Sequence, residues 1–101
     1  MKFQTLRVGV LTSKRAPGLE QLLRHPQRNK MFEIVCVIST EPAFVQAEAI
    51  ERADVPVLPH SMRHFCNERE VSIRNFDARM AYDRQTAEML RLMRVDTVLC
   101  L

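Results

Sequence analysis

Apolar residues fall along this chain in two alternating rhythms: short dense runs, and stretches in which they recur every three or four positions. Arg7 to Ser13 (RVGVLTS) is a β-branched run ending in polar residues, which predicts a buried strand. Pro17 suits the first turn of a helix, and Leu19, Leu22 and Leu23 recur at helical spacing until Pro26 stops the pattern. Glu33 to Thr40 (EIVCVIST) is apolar at five consecutive positions, as a strand is when helices cover both of its faces. Ala43 to Ala53 places Phe44, Ala47 and Ile50 on one face of a second helix. Val55 to Leu58 reads as a short third strand, an edge strand because Pro56 removes a ladder donor, and Pro59 closes it.

Residues 59–74 carry no clean period and read as a loop with at most a turn of helix. Asn75 then fits an N-cap. A third helix follows from Phe76 to Arg94, with Tyr82, Thr86, Met89, Leu90 and Met93 on one face and the methionines expected as core filler. Asp96 to Leu101 (DTVLCL) is a fourth strand. Strands that alternate with helices need right-handed parallel crossovers. The fold expected is therefore α/β: a Rossmann-like parallel sheet of four strands in the order 3-2-1-4, with helices on both faces.

Composition narrows the class. With 101 residues there is room for one domain, and 47% hydrophobic with 27% charged residues is ordinary for a globular chain, so disorder is not the expected state. No apolar run approaches the roughly 20 residues that cross a bilayer, and the first residues lack a signal-peptide core, which makes the cytoplasm the expected compartment. The net charge of +3 is scattered rather than blocked, which permits an anionic ligand without requiring one. Cys36, Cys66 and Cys100 are odd in number and far apart, so buried thiols are expected in place of disulfides. His60, His64 and Cys66 lack a fourth ligand at metal-site spacing, and no metal is expected. Arg24, Arg28 and Lys30 lack the interleaved aromatics of a nucleic-acid surface and read as a solvated helix end.

In such sheets ligands bind beyond the carboxyl ends of the strands, where the strand order reverses, here between strands one and four. The loop from Thr12 to Gly18 faces that crevice. Ser13, Lys14, Arg15 and Gly18 are the candidate substrate-binding residues, through backbone N–H groups at a helix start and the two added cations. His60 reads as a loop residue, because no orienting carboxylate or second base is spaced beside it.

The succession VGVLTS, PGLEQLL, EIVCVISTEP, AEAIERADVPVLPH and FDARMAYDRQTAEMLRLMRVDTVLCL resembles the first half of the formyltransferase family, which includes glycinamide ribonucleotide formyltransferase and methionyl-tRNA formyltransferase. Val37-Ile38-Ser39, Ala53 to Pro56 leading to His60, and Arg79 to Asp83 followed by the Asp96 strand carry it. The resemblance implies transfer of a formyl group from 10-formyltetrahydrofolate to a small-molecule amine. It also implies that the asparagine, histidine and aspartate performing the chemistry, and the folate-contacting loop, lie past the fourth strand. Residues 1–101 are thus expected to be a truncated N-terminal half of that domain with no catalytic residue of its own. In the first loop only Ser13 matches the glycine- and serine-rich run of the glycinamide ribonucleotide enzymes, which leaves the acceptor open. The alternative is a small non-catalytic module binding an anion or nucleotide at the same loop. The apolar strand from Asp96 to Leu101 is expected to be an open edge and to self-associate.

Overall fold

A computed structural model describes residues 5–13, 15–41 and 47–101. Four strands, β1 (Leu6–Thr12), β2 (Phe32–Ser39), β3 (Val57–Pro59) and β4 (Thr97–Cys100), form one sheet in the order β3-β2-β1-β4, every neighbouring pair parallel. The helices are α1 (Leu19–Leu23), α2 (Ala47–Arg52), α3 (Met62–Glu68) and α4 (Phe76–Leu92). The expected Rossmann-like α/β fold and its strand order are what the chain adopts.

The two inner strands, β1 and β2, are buried from both sides along most of their length, which is why they read as continuous apolar runs. Val8, Val10, Ile34 and Val37 pack with Leu19 and Leu23 of α1 and Ile50 of α2 into the main core. Gly9, between two of those residues, points to the opposite face, where α4 approaches. A β-carbon at Gly9 would lie 2.8 Å from Leu90 Cδ2 and 3.1 Å from Val95 Cγ2, so this close crossing of helix and strand requires glycine. The β1–β2 register slips between Val8, opposite Ile34, and Gly9, opposite Cys36. The bulge sets Ile34 and Val37, three residues apart, into the same core.

Three sequence expectations need correction. The third strand runs from Val57 to Pro59 rather than from Val55 to Leu58. Val55 is buried in the core ahead of it, and Pro56 lies outside it while its carbonyl still accepts from Val37 N at 2.9 Å. The loop expected over residues 59–74 contains the seven-residue α3, capped by Ser61, whose hydroxyl accepts from His64 N at 3.1 Å. Its apolar stripe Met62, Phe65 and Cys66 joins Ala78 and Tyr82 of α4 in a second, smaller core. The methionines expected as core filler of the third helix are not fully buried: Met89 and Met93 are half-buried and Met80 is exposed.

Other boundaries hold within a residue or two, although Ala43 to Gln46 of the second expected helix lie outside the described residues. Asn75 is the N-cap of α4, its Oδ1 accepting from Ala78 N at 2.9 Å. Arg7 ties the far end of α4 to the sheet: its Nε and Nη2 donate to the carbonyls of Arg94 and Met93, and its Nη1 pairs with Glu33 at 2.8 Å. The chain leaves α2, α3 and α4 through Asp54, Glu70 and Arg94, each at positive φ without being glycine. Among the described residues, no helix is long and apolar enough to cross a membrane.

Candidate functional site

The carboxyl ends of β1 and β2 each carry a buried polar residue, and both are consumed by the backbone. Buried Thr12 ends β1 and donates its hydroxyl to Ser13 O at 3.0 Å. Buried Ser39 ends β2, donating to Glu41 O at 2.8 Å and accepting from Glu41 N at 3.3 Å. Both hydroxyls steer the chain out of the sheet, and Thr40 N, donating to Thr12 O at 3.0 Å, holds the two exits together.

The loop after β1 has the expected position. Ser13 and Arg15 are exposed on it, Lys14 lies outside the described residues, and Gly18 is the half-buried N-cap of α1 with no side-chain hydrogen bond. Ala16 anchors the loop from below, buried and at φ 41°. A β-carbon on Gly18 would meet Leu101 Cδ2 at 3.9 Å, so the loop borders the exit of β4, at the crossover point where strand order reverses. The helix contributes less there than expected. α1 has only five residues, too few for a full macrodipole, and Leu19 N is already spent on Ala16 O at 3.0 Å. Among the described residues, the cation this loop carries is Arg15.

A second opening lies elsewhere on the same rim. A volume of about 590 Å³ lies over the exits of β2 and β3, lined by Thr40, Glu41, Ser61, Arg63, His64 and Arg79 among others. Ser13, Arg15 and Gly18 do not line it. Arg63 and Arg79 form no ion pair among the described residues, so two free guanidinium forks share one opening with the hydroxyl-bearing Thr40 and Ser61. Sequence reading missed this cleft because its two sides, Thr40 with Glu41 and Ser61 to Arg79, come from separate segments, and no local spacing announces it.

His60 is a structural residue. Its ring stacks on Tyr82 with centroids 4.0 Å apart and planes 5° from parallel, its carbonyl accepts from Tyr82 Oη at 2.5 Å, and its N–H donates to Ser39 O at 2.7 Å. Burial, then the nearby Asp83 carboxylate, push the Tyr82 phenol up, against a smaller lowering by Thr86, which favours the neutral hydroxyl as donor. His64 turns instead to Glu68 at 2.9 Å, and Cys66 lies buried against the Met62 sulfur at 3.9 Å, so His60, His64 and Cys66 go to three different partners. Burial also raises the Cys36 thiol, with a partial opposing effect from Arg7, which leaves it a poor nucleophile.

No protein-family model and no curated protein matches the chain. Solved structures do. Glycinamide ribonucleotide transformylase 1 from Symbiobacterium toebii superposes with a TM-score of 0.75 at 24% identity, over 99% of this chain and 43% of that one. Phosphoribosylglycinamide formyltransferase from Brucella melitensis gives 0.75 at 18% identity, over 96% of this chain and 45% of that one. A formyltetrahydrofolate deformylase from Pseudomonas putida gives 0.71 at 15% identity, over 99% and 31%. The chain spans less than half the length of each of these structures. At these identities the likeness establishes the fold alone, a Rossmann-like arrangement shared with part of each of these structures.

Proposed function

We propose that residues 1–101 are the N-terminal portion of the Rossmann-like domain of a formyl-group transferase, which moves a one-carbon unit from 10-formyltetrahydrofolate to a small-molecule amine. The observation that carries this reading is the superposition of nearly the whole chain on the Symbiobacterium toebii transformylase. In that reaction the amine nitrogen attacks the formyl carbon and the carbonyl electrons move onto oxygen. Collapse of the tetrahedral oxyanion then expels the folate nitrogen, while a proton passes from the attacking to the leaving nitrogen. The step needs a hydrogen-bond donor at the oxyanion and a group that carries the proton.

Thr12, Ser39 and His60 at the rim supply neither. Thr12 and Ser39 are spent on the backbone, and His60 is stacked away on Tyr82. This portion serves binding instead: Ser13, Lys14, Arg15 and Gly18 hold the anionic part of the acceptor amine. A second reading, a non-catalytic anion-binding module, is favoured by the free Arg63 and Arg79 in the large cleft.

The test is an assay of the purified chain with 10-formyltetrahydrofolate and glycinamide ribonucleotide, beside a calorimetric titration with ribose 5-phosphate. No turnover is expected, with half-saturation above about 1 mM, because one or two solvent-exposed cations hold a phosphate weakly. Measurable formyl transfer overturns the division of labour between this portion and the rest. Micromolar binding that is lost in Arg63→Ala or Arg79→Ala, and kept in Arg15→Ala, selects the second reading.

A further inference from the structure

The segment 61–75, which contains α3, is bonded mostly to itself. Ser61 caps α3 through His64 N, Arg69 Nη1 donates to Phe65 O at 3.2 Å, Val71 N donates to Cys66 O at 3.1 Å, and His64 pairs with Glu68 at 2.9 Å. Among the described residues, every hydrogen bond and ion pair of the segment stays inside it, except those through which Asn75 caps α4. What joins it to the rest is apolar: Met62, Phe65, Cys66 and Val71 rest on Ala78, Ala81 and Tyr82 of α4. That cluster shares no residue with the main core built on β1, β2, α1 and α2. The polar anchor to the sheet sits one residue ahead of the segment, where His60 N donates to Ser39 O at 2.7 Å and the His60 ring lies flat on Tyr82.

We propose that residues 61–74 are a movable wall of the cleft: they detach from α4 as one cooperative unit while the sheet, its main core and α4 stay folded. Opening of this kind draws on segments whose bonds are local and whose apolar anchorage is small. The segment meets both conditions, since its own hydrogen bonds survive the movement and its fully buried residues are Phe65 and Cys66. Both ends are fixed to what remains. His60 stays clamped between Ser39 and Tyr82, and Asn75 stays on α4 as its cap, so the two hinges are the junctions at residues 60–61 and 74–75. The cleft changes with the wall. Ser61, Arg63, His64 and Asn67 leave with the segment, whereas Thr40, Glu41 and Arg79 remain with β2 and α4. The two guanidinium groups therefore face one opening only in the closed form. This inference stands independently of the proposed function.

Two buried thiols report the two parts separately, Cys66 in the segment and Cys36 on β2. The full chain is pulsed with N-ethylmaleimide, without urea and at sub-denaturing urea, and the labelled peptides are read by mass spectrometry. Where reclosing outpaces labelling, each rate follows the population of its own open form. Cys66 is expected to label at least about 100-fold faster than Cys36, and with the weaker urea dependence, because its opening exposes less surface. Ile34→Val, in the main core, weakens the closed and the opened forms alike, so it should speed Cys36 about threefold or more and leave Cys66 unchanged. Amide exchange in the unaltered chain gives the same division without a variant. Phe65, Arg69 and Val71, whose N–H groups are bonded inside the segment, should share one opening free energy, below that of Val37 on β2. One common rate for the two thiols, a Cys66 rate that climbs with urea or Ile34→Val as steeply as that of Cys36, or segment amides that each open at their own energy would each overturn the proposal.

Discussion

Gly9 shows how much one missing β-carbon arranges. α4 crosses β1 closely enough that Gly9→Ala would set its methyl 2.8 Å from Leu90 Cδ2, while the adjacent Val95 methyls at 3.1 and 3.2 Å leave little room for it to move aside. The expected loss is about 1–3 kcal/mol, as for overpacking elsewhere, read as a lower urea midpoint with an unchanged slope. Tyr82 offers a second test at this scale. Its folded pKa is raised, so the native state holds the phenolic proton more tightly than the unfolded chain does. That advantage is complete below the ordinary tyrosine value near 10 and is lost as pH rises through the folded value. Tyr82→Phe should cost about 1 kcal/mol near neutrality through the lost bond to His60 O, and should remove the tyrosine share of the alkaline decline in melting temperature. An identical alkaline decline in the variant would assign it to other groups. Such roles are hard to see in sequence. Glycine occurs only at positions 9 and 18, neither at positive φ, while the left-handed positions fall to Ala16, Asn29, Asp54, Glu70 and Arg94, which no local composition rule singles out.

Among the elements, legibility followed burial on both faces. β1 and β2 were readable because helices cover both of their sides and leave unbroken apolar runs. α3 was not, since three inward residues in seven are too few to separate a helical stripe from a loop. β3 slipped by two residues because burial and strand membership part company there, Val55 being the core residue and Val57 to Pro59 the ladder. The basic segment near Arg28 also acquires its meaning only in the fold. Arg24 pairs with Glu20, and Arg28 reaches the carbonyls of Leu23 and Ala53 at 3.3 and 3.0 Å, joining the ends of α1 and α2. Arg28→Ala should therefore destabilise the chain by about 1–3 kcal/mol in chemical denaturation, since two helix-terminal carbonyls lose a charged donor. A neutral effect would return Arg28 to the role of a solvated surface charge.

At the scale of the whole molecule, strand order was recoverable because handedness and crossover rules leave few arrangements for four alternating strands. The site was recoverable only in part. The rule for open α/β sheets led to the loop after β1, but the larger cleft depends on how α3 and α4 sit over β2 and β3. The radius of gyration is 14.7 Å, above the roughly 13 Å of a compact chain of this length, and the extents of 50 × 30 × 17 Å describe a slab. The α3–α4 pair carries its own small core at one part of that slab, separate from the main one.

The place of β1 between β2 and β4 has a consequence for the order of events during synthesis. Its contacts with β2 join residues a few tens of positions apart, whereas the bond from Arg7 N to Asp96 Oδ2 spans 89 positions. While the chain is being made, the strands can assemble as β3-β2-β1 long before residue 97 has left the ribosome. Through that interval the middle strand of the finished sheet serves as its rim. Val8, Gly9, Val10 and Leu11 then present to the cell the side that β4 later takes, so the nascent chain carries its most pairing-prone surface in its interior strand. How quickly β4 follows sets how long that surface stays open, and synonymous changes that slow translation between α4 and β4 would act on yield without altering a single residue of the protein.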